Sequence, residues 1–131
     1  MMKIFIDASL IVYLNTPSSD FDARVVDFYK SLLKEELYTD VLALDEAIYV
    51  SKKKYGIAYE DTFELLENGV LPHVDVLPVG ELEFFKAKVY MLKHGLKPSD
   101  ALHLAVIENH GLQAIATEDR HFDGIIKRIW L

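Results

Sequence analysis

Four acidic residues, Asp7, Glu46, Asp100 and Asp119, stand where short apolar runs of this 131-residue sequence give way to helical patterns. Carboxylates gathered within a few ångströms raise one another's pKa or draw in cations. Oxygen donors of this kind, in a chain with no cysteine, suit Mg2+ or Mn2+ better than zinc. A divalent ion held between Asp7 and Asp100 would polarise a phosphate ester and activate water for in-line attack, with Glu46 or Asp119 orienting or deprotonating that water. Metal-assisted phosphodiester hydrolysis is the chemistry these residue types can support. Taken singly, each acid has a plainer role: Asp7 as a helix N-cap, Asp100 as a partner for a helix dipole, Asp119 as a turn residue. Convergence is what would turn them into a site.

The elements that must bring them together read as alternating strands and helices. Residues 3–6 are an apolar, β-branched run ending at Asp7, and Leu10, Ile11, Tyr13 and Leu14 follow at helical spacing. Ser19 or Asp20 is the expected N-cap of a helix carrying Phe21, Val25, Phe28, Leu32 and Leu33. Residues 38–42 read as the second strand. Leu44, Ala47, Ile48 and Ser51 then repeat at helical spacing up to a stop at Gly56. A further helix is expected over 59–67, ending at Asn68-Gly69, then a strand over 73–78 and a helix over 81–93 closed by His94-Gly95. Pro98 and Ser99 open another helix, and strands are expected over 112–116 and within 125–131.

Such alternation, with connections long enough to cross over, predicts one α/β domain over 1–131, a three-layer α/β/α arrangement around a parallel sheet of four to five strands. Sites in these sheets form beyond the carboxyl ends of the strands. Asp7 ends the first strand and Asp119 follows the 112–116 strand, so both point to that edge. Glu46 and Asp100 lie early in helices that open there.

Composition excludes several classes. No apolar run approaches the roughly 20 residues of a membrane span, and the opening Met-Met-Lys-Ile-Phe-Ile-Asp is too short for a signal core. The absence of cysteine removes thiol nucleophiles and zinc–thiolate sites and fits a cytoplasmic protein. A net charge of −7 argues against a simple nucleic-acid coat protein, although divalent cations in an acidic pocket would supply a local positive field.

Four segments in order, Phe5-Ile6-Asp7-Ala8-Ser9, Leu42-Ala43-Leu44-Asp45-Glu46, Ser99-Asp100-Ala101-Leu102-His103-Leu104-Ala105 and Thr117-Glu118-Asp119-Arg120-His121-Phe122-Asp123, resemble PIN domains. The resemblance covers essentially the whole chain and is to the short, single-domain kind found as VapC-type toxins of prokaryotic toxin–antitoxin pairs. It implies that Asp7, Glu46, Asp100 and Asp119 hold one or two Mg2+ or Mn2+ ions. It also implies endonucleolytic cleavage of RNA, an antitoxin partner, and supporting polar positions at Ser9 and Thr117. Single-stranded or looped RNA is the expected substrate.

The sequence departs from the commonest pattern where Ser9 replaces a frequent Asn and His121 a frequent Asp. Asp45 rivals Glu46 as the second ligand, and Asp123 is read either as an outer ligand or as a cap of 124–127. His103 is expected to be a partly buried, hydrogen-bonded histidine rather than a ligand. Lys52, Lys53, Lys54, Lys97 and Arg120 could steer RNA, the first three reading more simply as a solvated helix face. Phe84, Phe85, Tyr90 and Met91 are expected to pack the core, whereas Tyr49, Tyr55, Tyr59 and Phe63 are expected to serve a homodimer or partner face. Two other readings are a catalytically silent PIN-like module that binds RNA or protein, and an aspartyl phosphatase. The latter would want an Asp where Ser9 stands.

Overall fold

The computed structural model describes residues 1–16 and 20–131, the side chains of 20–22 excepted. Of the two expected caps of the second helix, Ser19 lies outside the described residues, as does the side chain of Asp20. The strands are β1 (Lys3–Ile6), β2 (Glu36–Asp40), β3 (Val74–Leu77), β4 (Ala114–Ala116) and β5 (Lys127–Ile129). The helices are α1 (Ala8–Asn15), α2 (Asp20–Leu32), α3 (Val41–Tyr55), α4 (Tyr59–Leu65), α5 (Glu81–His94) and α6 (Pro98–Asn109).

All five strands are parallel and run in the order β3-β2-β1-β4-β5. The chain steps outward from β1 to β3 on one side and then returns to β4 on the other. The sheet therefore has its topological switch between β1 and β4, where a crevice opens beyond the strand ends. Side-chain alternation sorts the two faces. Ile4 and Ile6 pack with residues of α1, α2 and α3, while Phe5 and Ile115 pack with Val106 and Ile107 of α6. The latter layer is completed by α5, whose Ala87 packs with Ala101 and Leu104. Strands buried on both faces read as continuous apolar runs, as residues 4–6 of β1 and Ala114–Ala116 do.

Local chemistry sets the boundaries. Gly56 and Gly95 end α3 and α5 in the left-handed conformation at φ 68° and 66°, so both expected stops are found. The second strand ends at Asp40 rather than continuing to Leu42. The Asp40 carboxylate accepts the Ala43 N–H at 2.9 Å and starts α3 at Val41. The helix after Gly56 does not end at Asn68-Gly69 either. Leu66–Val70 continue as a π-helical turn, with Leu71 N donating to Leu66 O at 2.8 Å.

The reading of α5 needs a larger correction. Tyr90 and Met91 are half-buried, but Phe84 and Phe85 are exposed, because Ala87 is what the helix turns inward against α6. Tyr49, Tyr55, Tyr59 and Phe63 are exposed as well. No described helix is long and apolar enough to cross a membrane.

Candidate active site

Asp7 leaves β1 in extended conformation and caps α1, its Oδ1 accepting the Ala8 N–H at 2.8 Å. The cap uses only Oδ1, and Oδ2 faces the residue that follows β4. There it accepts the Thr117 hydroxyl at 2.8 Å. Thr117, buried just past β4, accepts the Asp119 N–H at 3.1 Å on the same oxygen. Its proton is committed to Asp7, so Ser9, 3.4 Å away, donates to it and in turn accepts the Glu118 N–H at 3.3 Å. One hydroxyl relay therefore locks the end of β1 to the loop after β4.

Asp100 stands in the first turn of α6, behind Pro98 at its start. It is buried, and its Oδ2 has no hydrogen-bond partner among the described residues. Burial, followed by the charges of Asp7 and Asp119, pushes its pKa up from 3.8 to about 6, with His103 and Lys97 opposing. Glu46 reaches the crevice from the second turn of α3. Its pKa is raised as well, by burial first and then by Asp7. Asp119 lies at the start of a short 3-10 turn (Arg120–Phe122), where its Oδ1 accepts the His121 N–H at 2.8 Å.

These residues share a crevice of about 320 Å³ lined by Asp7, Ser9, Glu46, Asp100, Thr117 and Asp119, with Lys54, Tyr55 and Lys97 at its margins. Within it, ligand atoms of Asp7, Glu46 and His103 lie within 4.8 Å of one another, and so do those of Asp100, Asp119 and His121. The four acids of separate segments are thus brought together. Asp45, the neighbour of Glu46, is exposed and lies outside this lining. Asp123 is also outside it. Its carboxylate accepts Arg128 Nε at 2.7 Å, and the same guanidinium donates to Thr117 O at 3.2 Å.

The reading of the sequence missed one residue of the site's surroundings. Asp40 Oδ2 lies 2.7 Å from Nδ1 of the fully buried His103, whose Nε2 is 3.7 Å from Asp7 Oδ1. Burial disfavours a charged imidazole, but the Asp40 hydrogen bond and charge, with Asp7 and Asp100, outweigh it and raise the His103 pKa. His103 is therefore a buried, hydrogen-bonded histidine whose charged form these carboxylates favour.

The donor set fits a divalent cation. Four carboxylates line one crevice, one has a buried oxygen without a partner among the described residues, and two have pKa values raised by burial first and by neighbouring carboxylates second. A hard cation would satisfy that oxygen and relieve the crowding together.

A five-stranded parallel sheet with an acidic crevice at its switch point defines an α/β protein that gathers carboxylates at its strand ends. The PIN domain family model matches residues 4–127, and the chain belongs to that family. No curated protein sequence matches it significantly. Among solved structures it is similar to Mycobacterium tuberculosis VapC20, a sarcin-ricin loop cleaving toxin, at 19% identity and TM-score 0.75, over 91% of this chain and 92% of that one. It is also similar to DNA-bound VapBC from Salmonella typhimurium, at 17% identity and TM-score 0.72, over 99% and 98% of the two chains. A toxin–antitoxin complex from Klebsiella pneumoniae matches at 18% identity and TM-score 0.70, over 96% and 95%.

Proposed function

We propose that this protein, one domain over 1–131, is a divalent-metal-dependent endoribonuclease and the toxin of a toxin–antitoxin pair. Its substrate is single-stranded or looped RNA, it acts in the cytoplasm, and it works as a homodimer restrained by an antitoxin protein. The observation that carries the reading is the gathering of Asp7, Glu46, Asp100 and Asp119 in one crevice, Asp7 grouped with Glu46 and Asp100 with Asp119. Membership of the PIN family and the likeness to toxins of this fold support it.

Asp7, Asp100 and Asp119, with Glu46, are the residues that would hold Mg2+ or Mn2+. When bound, such an ion supplies a Lewis acid for the phosphate and an acidified water. The chain's own residues do the rest. Thr117 fixes the Asp7 carboxylate, and Ser9 fixes Thr117. Glu46, whose pKa is raised by burial first and then by Asp7, lines the crevice where it can take a proton from the attacking water. Lys54 and Lys97, at the crevice margin, give the phosphate backbone its nearest positive charges in an otherwise acidic protein.

The test is cleavage of a structured RNA by chelator-treated protein with and without added Mg2+ or Mn2+. Cleavage should require the metal and disappear in Asp7→Asn and Asp100→Asn. Metal-independent cleavage, or cleavage surviving both substitutions, would overturn the reading. Phosphatase activity without RNA cleavage would favour the aspartyl phosphatase, and neither activity would favour a silent module.

A further inference from the structure

The last turn of α3 carries Lys52, Lys53 and Lys54 in a chain with 14 basic and 21 acidic residues. Lysines there complement the negative end of the helix dipole, which accounts for their charge but not for what lies beneath them. Each ammonium stands over a tyrosine ring: Lys52 over Tyr59 at 4.8 Å from the ring centre, Lys53 over Tyr49 at 5.4 Å and Lys54 over Tyr55 at 5.5 Å. Among the described residues no ion pair engages any of the three, so their charge stays open to an anion. Tyr49 and Tyr59 are 53% and 47% exposed, and with Lys52 and Lys53 they line a hollow of about 190 Å³, room for one base. Lys54 and Tyr55, next in the chain, line the acidic crevice itself.

We propose that this series is a platform for the single-stranded flank of an RNA substrate, its bases stacking on Tyr49 and Tyr59 and its phosphates meeting Lys52 and Lys53. Ammonium groups interleaved with exposed aromatic rings are what an unpaired strand needs, since every base has a face to stack and every nucleotide a negative charge. Continuity with the crevice sets the path. Tyr49 and Lys53 follow Glu46 at i+3 and i+7, on one side of α3, and Lys53 lies about 10 Å beyond Glu46 along the axis. A strand whose scissile phosphate sits among the crevice acids therefore passes Lys54 and Tyr55 and reaches the hollow within a few nucleotides.

Charge alone does not hold the strand there. Asp45 precedes Tyr49 by one turn, and Glu60 and Asp61 follow Tyr59, which leaves the surroundings nearly balanced and gives stacking the larger share. A duplex has no unstacked base to offer, so the platform selects unpaired flanks. The inference rests on the crevice being an RNA-cleaving site, yet the hollow shares no residue with that crevice and its grip on a strand is measurable without cleavage.

The experiment uses the full chain in chelator, so that nothing is cut, with dye-labelled unpaired RNAs of about 4 and about 16 nucleotides. Fluorescence anisotropy should show the longer strand bound at least ~10-fold more tightly. Tyr49→Ala and Tyr59→Ala should each weaken its binding at least ~5-fold with an unchanged far-ultraviolet spectrum. Lys52→Gln and Lys53→Gln should each lower the slope of log affinity against log salt by about 0.7. In Mn2+ the same substitutions should raise KM for the longer strand at constant kcat. Equal affinity for the two lengths, or tyrosine variants that bind the longer strand as the wild type does, would overturn the proposal and leave the patch to a protein partner. Length-dependent binding lost in the tyrosine variants supports it, and if no RNA were then cut in Mn2+, the nuclease reading would fall while the platform remained as an RNA-binding surface.

Discussion

The Nδ1 atom of His103 lies 2.7 Å from Asp40 Oδ2, so one ring on α6 fastens the start of α3 beneath the end of β1. Asp40 is fully buried and also caps α3 through Ala43 N–H. Removing the imidazole strands a buried carboxylate. His103→Ala is therefore expected to cost about 3–5 kcal/mol in urea unfolding. Asp40→Asn, which keeps a capping oxygen but loses the charge, should cost less than Asp40→Ala. Equal losses in the two Asp40 variants would show that the retained capping oxygen adds nothing and that the charge accounts for the whole effect.

Asp100 makes a prediction about pH with a definite sign. Its folded pKa, about 6, lies above its ordinary 3.8, so the folded protein holds a proton more tightly than the unfolded chain. The stability contributed is full below pH 3.8 and is lost as pH rises through about 6. Without metal, Asp100→Asn should therefore match the wild type at acid pH and become the more stable protein above pH 6. Excess Mn2+ should reverse the order, raising the melting temperature of the wild type by several degrees and that of the variant much less. Calorimetry in chelator and in Mn2+ decides it. A constant gap between the two proteins across pH would refute the cause assigned to Asp100.

Thr117→Val keeps the side chain's shape but deletes the hydroxyl that joins Asp7 to the Asp119 N–H. Metal affinity or cleavage should fall 10–100-fold, in the range seen when a ligand loses its hydrogen-bonded support. Thr117→Ser should restore most of it. Isothermal titration with Mn2+ separates this effect from simple unfolding.

The acids at the margins of the site should behave unequally. Glu46→Gln is expected to lower the cleavage rate on the order of 10²–10⁴-fold, as removal of a general base does. Asp45→Asn should change it less than ~3-fold, because solvent screens an exposed charge outside the crevice. Asp123→Asn should do little to the rate and cost at most ~1 kcal/mol of stability, since its partner is the Arg128 guanidinium. Comparing single-turnover rates of the three variants is enough to reverse this ranking.

The strand-to-helix alternation was legible because each element carries its own punctuation, such as Pro98 at a helix start and Gly95 at a helix end. The positions of Asp7 and Asp119 at strand ends were legible for the same reason. The Asp40–His103 pair was not, because a contact across 63 residues leaves no local pattern. Helix α5 misled for a different reason. Its outer stripe of Leu82, Phe85, Val89 and Leu92 is more apolar than the inner one built around Ala87, so periodicity detects a face without saying where it turns. Asp123 shows the remaining difficulty: an acid four residues beyond Asp119 is near in sequence, yet Arg128 holds it elsewhere.

The sheet order places β4 beside β1 although more than a hundred residues separate them in the chain. During synthesis, Asp7 and Glu46 leave the ribosome long before Thr117 and Asp119 can lock against them. A nascent chain thus carries half of its acidic crevice and none of the hydroxyl relay that holds it together. Whatever this crevice does to its substrate is deferred until Thr117 and Asp119 have been made, and no product terminated before them can do it.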